Sequence, residues 1–443
     1  MKSAAGNLQG KKIGFFGIGE SNLSLLRTLP LESSEVILRS DSAIKREHIP
    51  KSITAKRIYE GKCALTDITE DILFLSPSVR RDRSELKRAE ERGVRLTSDA
   101  EIFYESNAAP LYTVTGSDGK STTATLTSLL LNRRIHAELI GNVGVPMFES
   151  LTSKCDAYVV ELSSFMLTYN APKSKRACLT NITPNHLDWH TSTEEYIEAK
   201  LSLIRNADEP VMSCDEDILR RIGRNNIFAL TSADMSFEEL KKKFKAEIYI
   251  TYENGKILRN GAKILEERDI TKNEGYNVKN LMCAIAMTDG VASTEDVSCV
   301  AKSFSGLSHR CEYVGRFRGI DFYDSSIDST PSRTRETLRS LRRPCVIILG
   351  GRSKGVSYSD LLDGIDFVKH AVICGENSEE IHRAIRGKVK SVTLDDFDSA
   401  VEFAAELAKE CGTVLLSPAS TSHDRFSNYK ERGERFRNIV KNL

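Results

Sequence analysis

The sequence predicts an α/β protein with parallel sheets, divided into three domains. Short apolar runs typical of buried strands alternate with helical patterns along all 443 residues, as expected when crossover helices connect parallel strands. Several of these runs end in glycine-rich or serine-rich turns that lead into a helix. At about 150 residues per domain, the length suits two to four domains. We place the domains at residues 1–107, 108–309 and 310–443.

Composition and charge exclude several classes of protein. Apolar residues make up 40% and charged residues 28% of the chain, which favours large buried cores and argues against disorder. The 63 basic residues balance 62 acidic ones, so we expect no nucleic-acid partner. The amino-terminal residues are polar, and no apolar run approaches the roughly 18 residues that a membrane span needs. We therefore expect no membrane insertion and a cytoplasmic location.

The ten cysteines are scattered along the chain without a C-x-x-C pair. Several lie in strand-like apolar runs, a pattern typical of reduced, buried thiols rather than of metal ligands or disulfides. We therefore expect free and buried cysteines.

The first domain opens with a strand, Lys12–Phe16, followed by the turn Gly17-Ile18-Gly19 and a helical leucine pattern. This order is typical of the first unit of a Rossmann-like nucleotide-binding domain. The third fingerprint glycine is replaced by Asn22, which favours a nucleotide or phosphate other than NAD. Asp41 follows the second strand, where a carboxylate can accept hydrogen bonds from a ribose or a base edge, although a turn or cap role is the alternative. Further strands are predicted at 36–38, 72–75 and 94–96, and a helix at 83–92.

The central domain begins with a strand, a glycine-rich turn and a helix start, in that order, over Val114–Thr123. In such a turn the glycines let the backbone approach an anion, and the helix N–H groups face it. Lys120 adds positive charge, and the Ser121 hydroxyl can bind Mg²⁺. The first glycine of the Walker pattern would fall at Val114, whereas this chain has Gly116. We interpret the turn as a shortened ATP loop in a P-loop-type ATPase α/β domain. The alternative is an ordinary glycine-rich turn before a helix, but packing alone does not explain why Lys-Ser-Thr-Thr follows the glycines.

Other polar groups of the central domain follow predicted strands. The strand at 157–160 runs into Glu161, which places a carboxylate at the edge where open α/β sheets bind ligands. Glu161 is a candidate Mg²⁺ ligand, and a turn-capping carboxylate is the alternative. The helix at 193–206 carries Lys200 after a polar loop. The sequence also predicts a hairpin over 246–259, a helix from Gly275 and a solvated helix face for the basic run 241–245.

The third domain again alternates strands with helices, which predicts another parallel sheet of a C-terminal Rossmann-like α/β domain. Polar loops at 350–355 and 417–422 follow two of its strands. The predicted strands are 320–323, 346–349, 371–373 and 413–416, and the predicted helices are 331–341, 376–385 and 396–409.

Six stretches of the chain carry motif-like runs of polar and glycine residues, at 115–121, 161–165, 181–186, 277–280, 309–310 and 417–420. In this order they resemble the motifs of the Mur ligases. The resemblance covers essentially the whole chain and is greatest for the type that adds D-glutamate. It implies ATP-driven amide formation in peptidoglycan precursor synthesis, in which UDP-N-acetylmuramoyl-L-alanine and D-glutamate are joined through an acyl phosphate. It also implies ATP and two Mg²⁺ ions as cofactors and a monomeric enzyme.

The resemblance implies roles for individual residues. The catalytic residues would be Lys120, Glu161, His186 and Lys200, and Lys200 matches the lysine that is carbamylated in the family. The metal ligands would be Ser121, Glu161, His186 and Lys200. The ATP contacts would be Gly116, Ser117, Asp118, Gly119, Lys120, Ser121, Thr122, Asn277, Asn280, Arg310 and Asp324. The UDP-sugar contacts would be Gly19, Ser21, Asn22, Asp41, Ser42, Ser76, Asn142 and Ser163, and the amino-acid contacts would be Lys354, Ser422 and Tyr429.

The chain departs from the family pattern at several positions. Asn185 stands where relatives often have aspartate, Tyr276 replaces the usual histidine, and Met166 replaces a glutamine. The stretch 324–330 lacks the usual lysine. These departures leave open the third-domain ATP contacts and the choice of amino acid. The alternatives are a sibling ligase for another amino acid, a non-catalytic nucleotide-binding regulator or scaffold, and a dehydrogenase that would rest on Gly17 and Gly19 alone.

Overall fold

The computed structural model describes residues 8–44, 46, 49–183, 189–223, 227–271, 275–353 and 357–443, with only the backbone of 275 and 276. The chain forms two compact units, residues 1–304 and 305–443. The first unit contains two sheets and the second contains one. The three sheets confirm the predicted α/β class, whereas the predicted domain boundaries stay predictions.

The first sheet has five parallel strands in the order β3-β2-β1-β4-β5. Its central strand β1 is buried from its second residue onward, and Gly17 then turns the chain with φ of +80°. A Cβ at Gly17 would lie 2.8 Å from Cβ of Ser76, so only glycine fits this turn. The elements are β1 Lys12–Phe16, α1 Glu20–Thr28, β2 Glu35–Ser40, β3 Ala55–Glu60, β4 Ile72–Leu75, α2 Ser84–Glu91, β5 Arg95–Thr97 and α3 Asp99–Ser106.

The second sheet has nine strands in the order β14-β13-β12-β11-β10-β9-β6-β8-β7. It is parallel except for the antiparallel β12-β13-β14 edge, and the first turn of that edge is the hairpin predicted around Asn254-Gly255. The elements up to the middle of the unit are β6 Leu111–Thr115, α4 Lys120–Leu131, β7 Ala137–Gly141, α5 Met147–Ser150, β8 Ala157–Glu161, α6 Ser164–Leu167, β9 Ser174–Leu179 and α7 Thr193–Arg205. The remaining elements are β10 Ala207–Ser213, α8 Glu216–Ile222, β11 Ile227–Ser232, α9 Phe237–Lys243, β12 Ala246–Glu253, β13 Lys256–Arg259, β14 Ala262–Glu266, α10 Gly275–Met287 and α11 Thr294–Ser303.

Within the first unit, Arg80 joins the loop after β4 to the second sheet's helices. Its guanidinium donates to Glu195 Oε1 at 2.9 Å, at the start of α7, and to the Trp189 carbonyl at 2.8 Å. Trp189 Nε1 in turn donates to the Ser78 carbonyl at 2.8 Å. These bonds tie the two sheets of the unit together close to the segment that precedes α7.

The third sheet has six strands in the order β15-β16-β20-β17-β18-β19. The four predicted strands, which correspond to β16, β17, β18 and β20, pair in parallel as predicted. Strand β15, which was not predicted, adds an antiparallel edge beside β16. The half-buried and exposed residues of β15 carry no continuous apolar run that would predict the strand. The elements are β15 Glu312–Phe317, β16 Ile320–Asp324, α12 Pro331–Leu341, β17 Cys345–Leu349, β18 Val368–Ile373, α13 Ser378–Ile385, β19 Lys390–Thr393, α14 Phe397–Leu407, β20 Thr413–Leu416 and α15 Tyr429–Asn442.

All ten cysteines are free in the structure, as predicted. Four of them are buried and four are half-buried, whereas Cys63 and Cys299 are exposed, so the expectation of burial is wrong for these two. Among the described residues, no helix has the length and apolar character that crossing a membrane requires.

Candidate active site

The ATP loop connects β6 to α4 and contains two glycines that no other residue can replace. Gly116 has φ of +150° and Gly119 has φ of +77°. A Cβ at Gly116 would lie 1.9 Å from Thr180 Oγ1, and a Cβ at Gly119 would lie 2.1 Å from Asn280 Oδ1. Both glycines are therefore required by close neighbours as well as by backbone conformation.

Neighbouring loops hold the ATP loop in place. The Ser117 hydroxyl lies 2.7 Å from the Tyr196 hydroxyl and accepts from the Thr183 amide at 2.8 Å. Asn181 Oδ1 accepts from the Asp118 amide at 2.9 Å. No side chain caps the start of α4. The first amide groups of this helix can therefore donate to a phosphate bound in the loop.

Glu161 ends β8, directly beside β6 in the sheet, and its side chain is 1% exposed. Its Oε1 accepts from Asn142 Nδ2 at 2.9 Å. Its Oε2 is buried and has no hydrogen-bond partner among the described residues. A buried carboxylate oxygen without a donor is costly unless a cation binds it. Oxygen ligands are those that Mg²⁺ prefers, so Glu161 fits a Mg²⁺ site.

Lys200 lies on α7 and is 1% exposed. Its Nζ donates to the Gly116 carbonyl at 2.7 Å and lies 4.6 Å from the centre of the Tyr196 ring. Burial, with a further contribution from the positive charge of Lys120, lowers the pKa of Lys200 to about 6. At neutral pH the group is therefore mostly an uncharged amine, the form that can react with carbon dioxide to give a carbamate.

Further predicted residues of the central domain lie on helices α4 and α10. Lys120 Nζ donates to the Ser117 carbonyl at 2.8 Å, and Asn280 Oδ1 lies 3.4 Å from Thr123 Oγ1, so both lie at the ATP loop. Asn277 is buried on the same helix as Asn280. His186 of the central domain and Lys354 of the third domain lie outside the described residues, and their predicted roles stay predictions. Asn185 also lies outside the described residues.

The predicted UDP-sugar contacts of the first domain meet at the carboxyl edge of its sheet. Gly19 precedes α1, and Ser42 and Ser76 follow β2 and β4. Asn22 is fully buried, and its amide donates to the carbonyls of Phe16 at 3.1 Å and Gly17 at 2.9 Å. Asn22 therefore shapes the glycine turn through its own hydrogen bonds. The other two predicted contacts lie in the central domain, where Asn142 bonds Glu161 and Ser163 caps α6.

Asp99, which was not among the predicted site residues, begins α3 and is 2% exposed. Burial raises the pKa of its carboxyl to about 6, against smaller opposing effects of the Ala100 amide and the Ser21 hydroxyl. Its Oδ1 has no hydrogen-bond partner among the residues that the structure describes. An aspartate at a helix start is common, so nothing in the sequence marks this one as buried.

We expect Asp99→Asn to stabilise the protein at neutral pH but not near pH 4. Because the folded-state pKa lies above the unfolded value, protonation of Asp99 stabilises the fold below the ordinary aspartate pKa, and this contribution is lost as the pH rises through about 6. The difference in unfolding free energy between variant and wild type should therefore grow between about pH 4 and pH 7. Denaturant unfolding across this range measures it, with the exposed Asp217→Asn as control. A difference that does not vary with pH would contradict the assignment.

In the second unit, Asp324 ends β16 and is fully buried. Its Oδ2 accepts from His309 Nδ1 at 2.7 Å and from Arg437 Nε at 3.1 Å. Its Oδ1 accepts from the Ser326 amide at 2.9 Å. Arg437 also pairs with Glu312. The predicted ATP contact is thus the centre of a buried hydrogen-bond network, and its role towards ATP stays a prediction.

Two of the predicted amino-acid contacts of the second unit, Ser422 and Tyr429, are described by the structure. Ser422 is buried, and Tyr429 begins α15 with its ring centre 6.0 Å from that of His309. Arg432, on the same helix, donates to the carbonyls of Ser326 at 2.9 Å and Ser420 at 3.1 Å. Helix α15 and its arginines were not predicted, because the helix carries only a narrow apolar stripe.

We expect Arg437→Met to lower the free energy of unfolding by about 2–4 kcal/mol, because it leaves the buried Asp324 carboxylate without its cationic partner. The matched control is Arg435→Met on the same helix. Arg435 pairs with Asp398 at the surface, where both side chains are at least one third exposed, so its loss should cost about 1 kcal/mol or less. Denaturant unfolding measures both variants. Equal losses of unfolding free energy in the two variants would show that the buried Asp324 carboxylate does not need Arg437 as its cationic partner.

Comparison with known proteins identifies the family. Residues 114–288 match the Mur ligase middle domain, and residues 309–420 match the Mur ligase, glutamate ligase domain. A UDP-N-acetylmuramoylalanine--D-glutamate ligase of Clostridium botulinum strain 657 is 30% identical over 98% of this chain and 97% of its own. The protein of the same name from Ruminiclostridium cellulolyticum is 32% identical over 99% and 98%.

Solved structures share the fold across almost the whole chain. The UDP-N-acetylmuramate-alanine ligase MurC of Thermotoga maritima has a TM-score of 0.60 at 17% identity, covering 98% of this chain and 99% of its own. The MurF ligase of the same organism, in complex with ADP, has a TM-score of 0.55 at 15% identity, covering 100% and 97%. The fold, the ATP loop with its buried lysine and carboxylate, and the full-length similarity agree: this chain belongs to the Mur ligase family.

Proposed function

We propose that this chain is an ATP-dependent ligase that joins the amino group of D-glutamate to the carboxylate of UDP-N-acetylmuramoyl-L-alanine in peptidoglycan precursor synthesis. The observation that carries this proposal is the convergence of Lys120, Glu161 and Lys200 on one phosphate cradle. Relatives named for this reaction are 30% and 32% identical over nearly their whole length. We also propose that it acts as a monomer in the cytoplasm.

The ATP loop accounts for the nucleotide side of the reaction. The amides at the start of α4 hold the β- and γ-phosphates, and Lys120 offsets charge on the phosphoryl group that is transferred. Gly116 and Gly119 keep the cradle open because they have no side chain. On the resemblance, Asn277 and Asn280 contact the adenine, and Arg310 and Asp324 contribute further ATP contacts.

Two Mg²⁺ ions are part of the proposal. Ser121 and Glu161 would hold one ion, which the bare Glu161 Oε2 supports. His186 and carbamylated Lys200 would hold the other, because carbamylation converts the amine into a carboxylate. When bound, the ions offset the negative charge that builds up on the phosphate oxygens.

The chemistry has two steps. The substrate carboxylate attacks the γ-phosphorus of ATP, which forms an acyl phosphate and releases ADP. The amine of D-glutamate then attacks the acyl carbon, the C–O bond to phosphate breaks, and the amine loses a proton as the amide forms. Negative charge is concentrated in both steps, so the fixed positive charge of Lys120 and the aligned amides of α4 stabilise them.

The amino-acid side of the reaction is assigned to the second unit. Ser422, Tyr429 and Lys354 would hold the D-glutamate, and a lysine suits a side-chain carboxylate. The similarity of residues 309–420 to a glutamate ligase domain supports this placement.

Phosphate release in the presence of ATP, Mg²⁺ and UDP-N-acetylmuramoyl-L-alanine, measured with a panel of D- and L-amino acids, tests the proposal. We expect release with D-glutamate alone, and none from Lys120→Ala. Release with a different amino acid would make the chain a sibling ligase. No release with any amino acid would favour a non-catalytic nucleotide-binding protein.

A further inference from the structure

An ion pair lies across the carboxyl end of β1, at the predicted UDP-sugar site. Arg83 donates to Asp41 through two parallel hydrogen bonds, to Oδ1 at 2.9 Å and to Oδ2 at 2.7 Å. Asp41 follows β2 and Arg83 follows β4, and these strands flank β1 in the sheet. The pair therefore spans the glycine turn that follows Phe16.

The guanidinium of Arg83 stays close to this turn. Its central carbon lies 5.4 Å from the centre of the Phe16 ring, and Phe16 is the last residue of β1. The carboxyl edge of a doubly wound sheet, beside its first glycine turn, is where such sheets bind nucleotides. Arg83 is thus a cation held over the crevice where the diphosphate of a nucleotide would lie.

The neighbouring arginines are committed to other partners. Arg80 binds Asp82 and Glu195 and contacts Trp189. Arg81 pairs with Glu101, and its backbone amide donates to the Tyr169 hydroxyl. These bonds hold the two residues in the contact between the two sheets of the first unit. Arg83 is the member of this basic stretch whose ion pair faces the nucleotide crevice.

The Arg83–Asp41 pair can open at little cost. The side chains of Arg83 and Asp41 are 33% and 53% exposed, and pairs so exposed contribute about 0–1 kcal/mol. A diphosphate carries more negative charge than one carboxylate and offers the same two-point acceptor geometry to a guanidinium. A nucleoside diphosphate can therefore displace Asp41 from Arg83.

We propose that Arg83 is a specificity residue for the nucleotide half of the UDP-sugar: it exchanges its ion pair with Asp41 for the diphosphate, and Asp41 is freed to accept hydrogen bonds from the ribose. This inference rests on the proposed function, because it places the UDP-sugar in the first domain. Without ligand, the pair keeps both charges neutralised over the crevice.

Binding of UDP and of uridine by calorimetry tests the inference, using Arg83→Gln, Arg83→Lys and the full-length wild type. The matched control is Arg95→Gln, since Arg95 also makes a two-oxygen pair with a carboxylate, Glu105, at similar exposure in the same domain. We expect Arg83→Gln to weaken UDP binding roughly 10–100-fold, as for loss of a charged hydrogen-bond donor, with uridine binding unchanged. The affinity of Arg83→Lys for UDP should fall between those of Arg83→Gln and the wild type, and the affinity of Arg95→Gln should match that of the wild type.

The same variants separate this inference from the proposed function. With the wild type active, Arg83→Gln should raise the KM for UDP-N-acetylmuramoyl-L-alanine while the KM for ATP and the kcat stay unchanged. Wild-type affinity for UDP in Arg83→Gln would overturn the inference alone, as would an equal loss of UDP and uridine binding, which would mean that Arg83 acts only by orienting Asp41. A wild type that binds UDP but makes no amide would overturn the proposed function and leave the role of Arg83 standing. Unchanged thermal unfolding of each variant shows that it is folded.

Discussion

Lys200→Met is expected to abolish ligase turnover while leaving the protein at least as stable as the wild type. The amine is buried against Gly116 and Tyr196, and its replacement by an apolar side chain of similar length removes the reactive nitrogen without opening a cavity. We expect turnover to fall at least 100–1000-fold, as for loss of a group that stabilises charge in the transition state. Phosphate release measures this loss.

The expected stability of Lys200→Met follows from the lowered pKa of Lys200. The pKa of Lys200 is about 6 in the fold against the ordinary value of 10.5, so the unfolded chain binds the proton more tightly. Burial of Lys200 therefore costs no unfolding free energy when the pH is above its ordinary pKa of 10.5. The cost grows as the pH falls and reaches its full size below about pH 6. In bicarbonate-free buffer, the stability gained by Lys200→Met should therefore be greater at about pH 6.5 than at pH 9.

The exposed Lys173→Met is the control for stability, because its side chain is 81% exposed and its replacement should change the unfolding free energy by less than about 0.5 kcal/mol. Near wild-type turnover by Lys200→Met would contradict the assignment of Lys200 to the active site. A variant that unfolds well below the wild-type temperature would show that the buried amine is part of the framework of the fold.

Glu161→Gln is expected to lower Mg²⁺-dependent turnover by roughly 100–1000-fold. The variant keeps the shape of the side chain and an acceptor for Asn142, but it loses the negative charge that the bare Oε2 offers to a cation. The Mg²⁺ concentration needed for half-maximal phosphate release should rise, and the free energy of unfolding should change by no more than about 1 kcal/mol. A Mg²⁺ titration of phosphate release measures the first effect and denaturant unfolding the second.

Glu138→Gln provides a matched control for Glu161→Gln. Glu138 lies on β7, the strand next to β8 in the same sheet, and its Oε2 is likewise buried without a partner among the described residues. In the register of the two strands, Glu138 lies opposite Tyr158 of β8. It therefore lies away from the carboxyl edge of the sheet, where Glu161 is found. We expect wild-type turnover and Mg²⁺ dependence from this variant. An equal loss in both variants would mean that buried charge in the sheet, rather than the Mg²⁺ site, explains the effect.

The elements around the site could be predicted well where a pattern lies within a few consecutive residues. The strand Lys12–Phe16 and the helix Pro331–Leu341 were predicted with the observed bounds, and α7 was predicted one residue too long. Each has a clear apolar period or run. Strand β15 was missed because none of its residues is fully buried. Helix α15 was missed because its few buried residues are spread among charged ones.

The order of motifs along the chain, read as a resemblance, predicted the family that the comparisons then showed. The resemblance also implied roles for His186 and Lys354, and those roles remain predictions. It did not anticipate Asp99 or Arg83, because a single aspartate or arginine has no sequence signature that separates a surface residue from one at a ligand crevice.

The ATP loop, the α/β class and the family could be predicted from sequence alone, because they depend on contiguous residues whose backbone conformation and spacing are local properties. The three-dimensional packing was needed to show that Lys200 is buried with a lowered pKa and that one oxygen of Glu161 has no hydrogen-bond partner among the described residues. It was also needed to show which carboxylates Arg83 and Arg437 bind. Asp41 lies 42 residues from Arg83, and Asp324 lies 113 residues from Arg437. Burial and ion pairing between such distant positions depend on how strands and helices pack, and no local pattern encodes that packing.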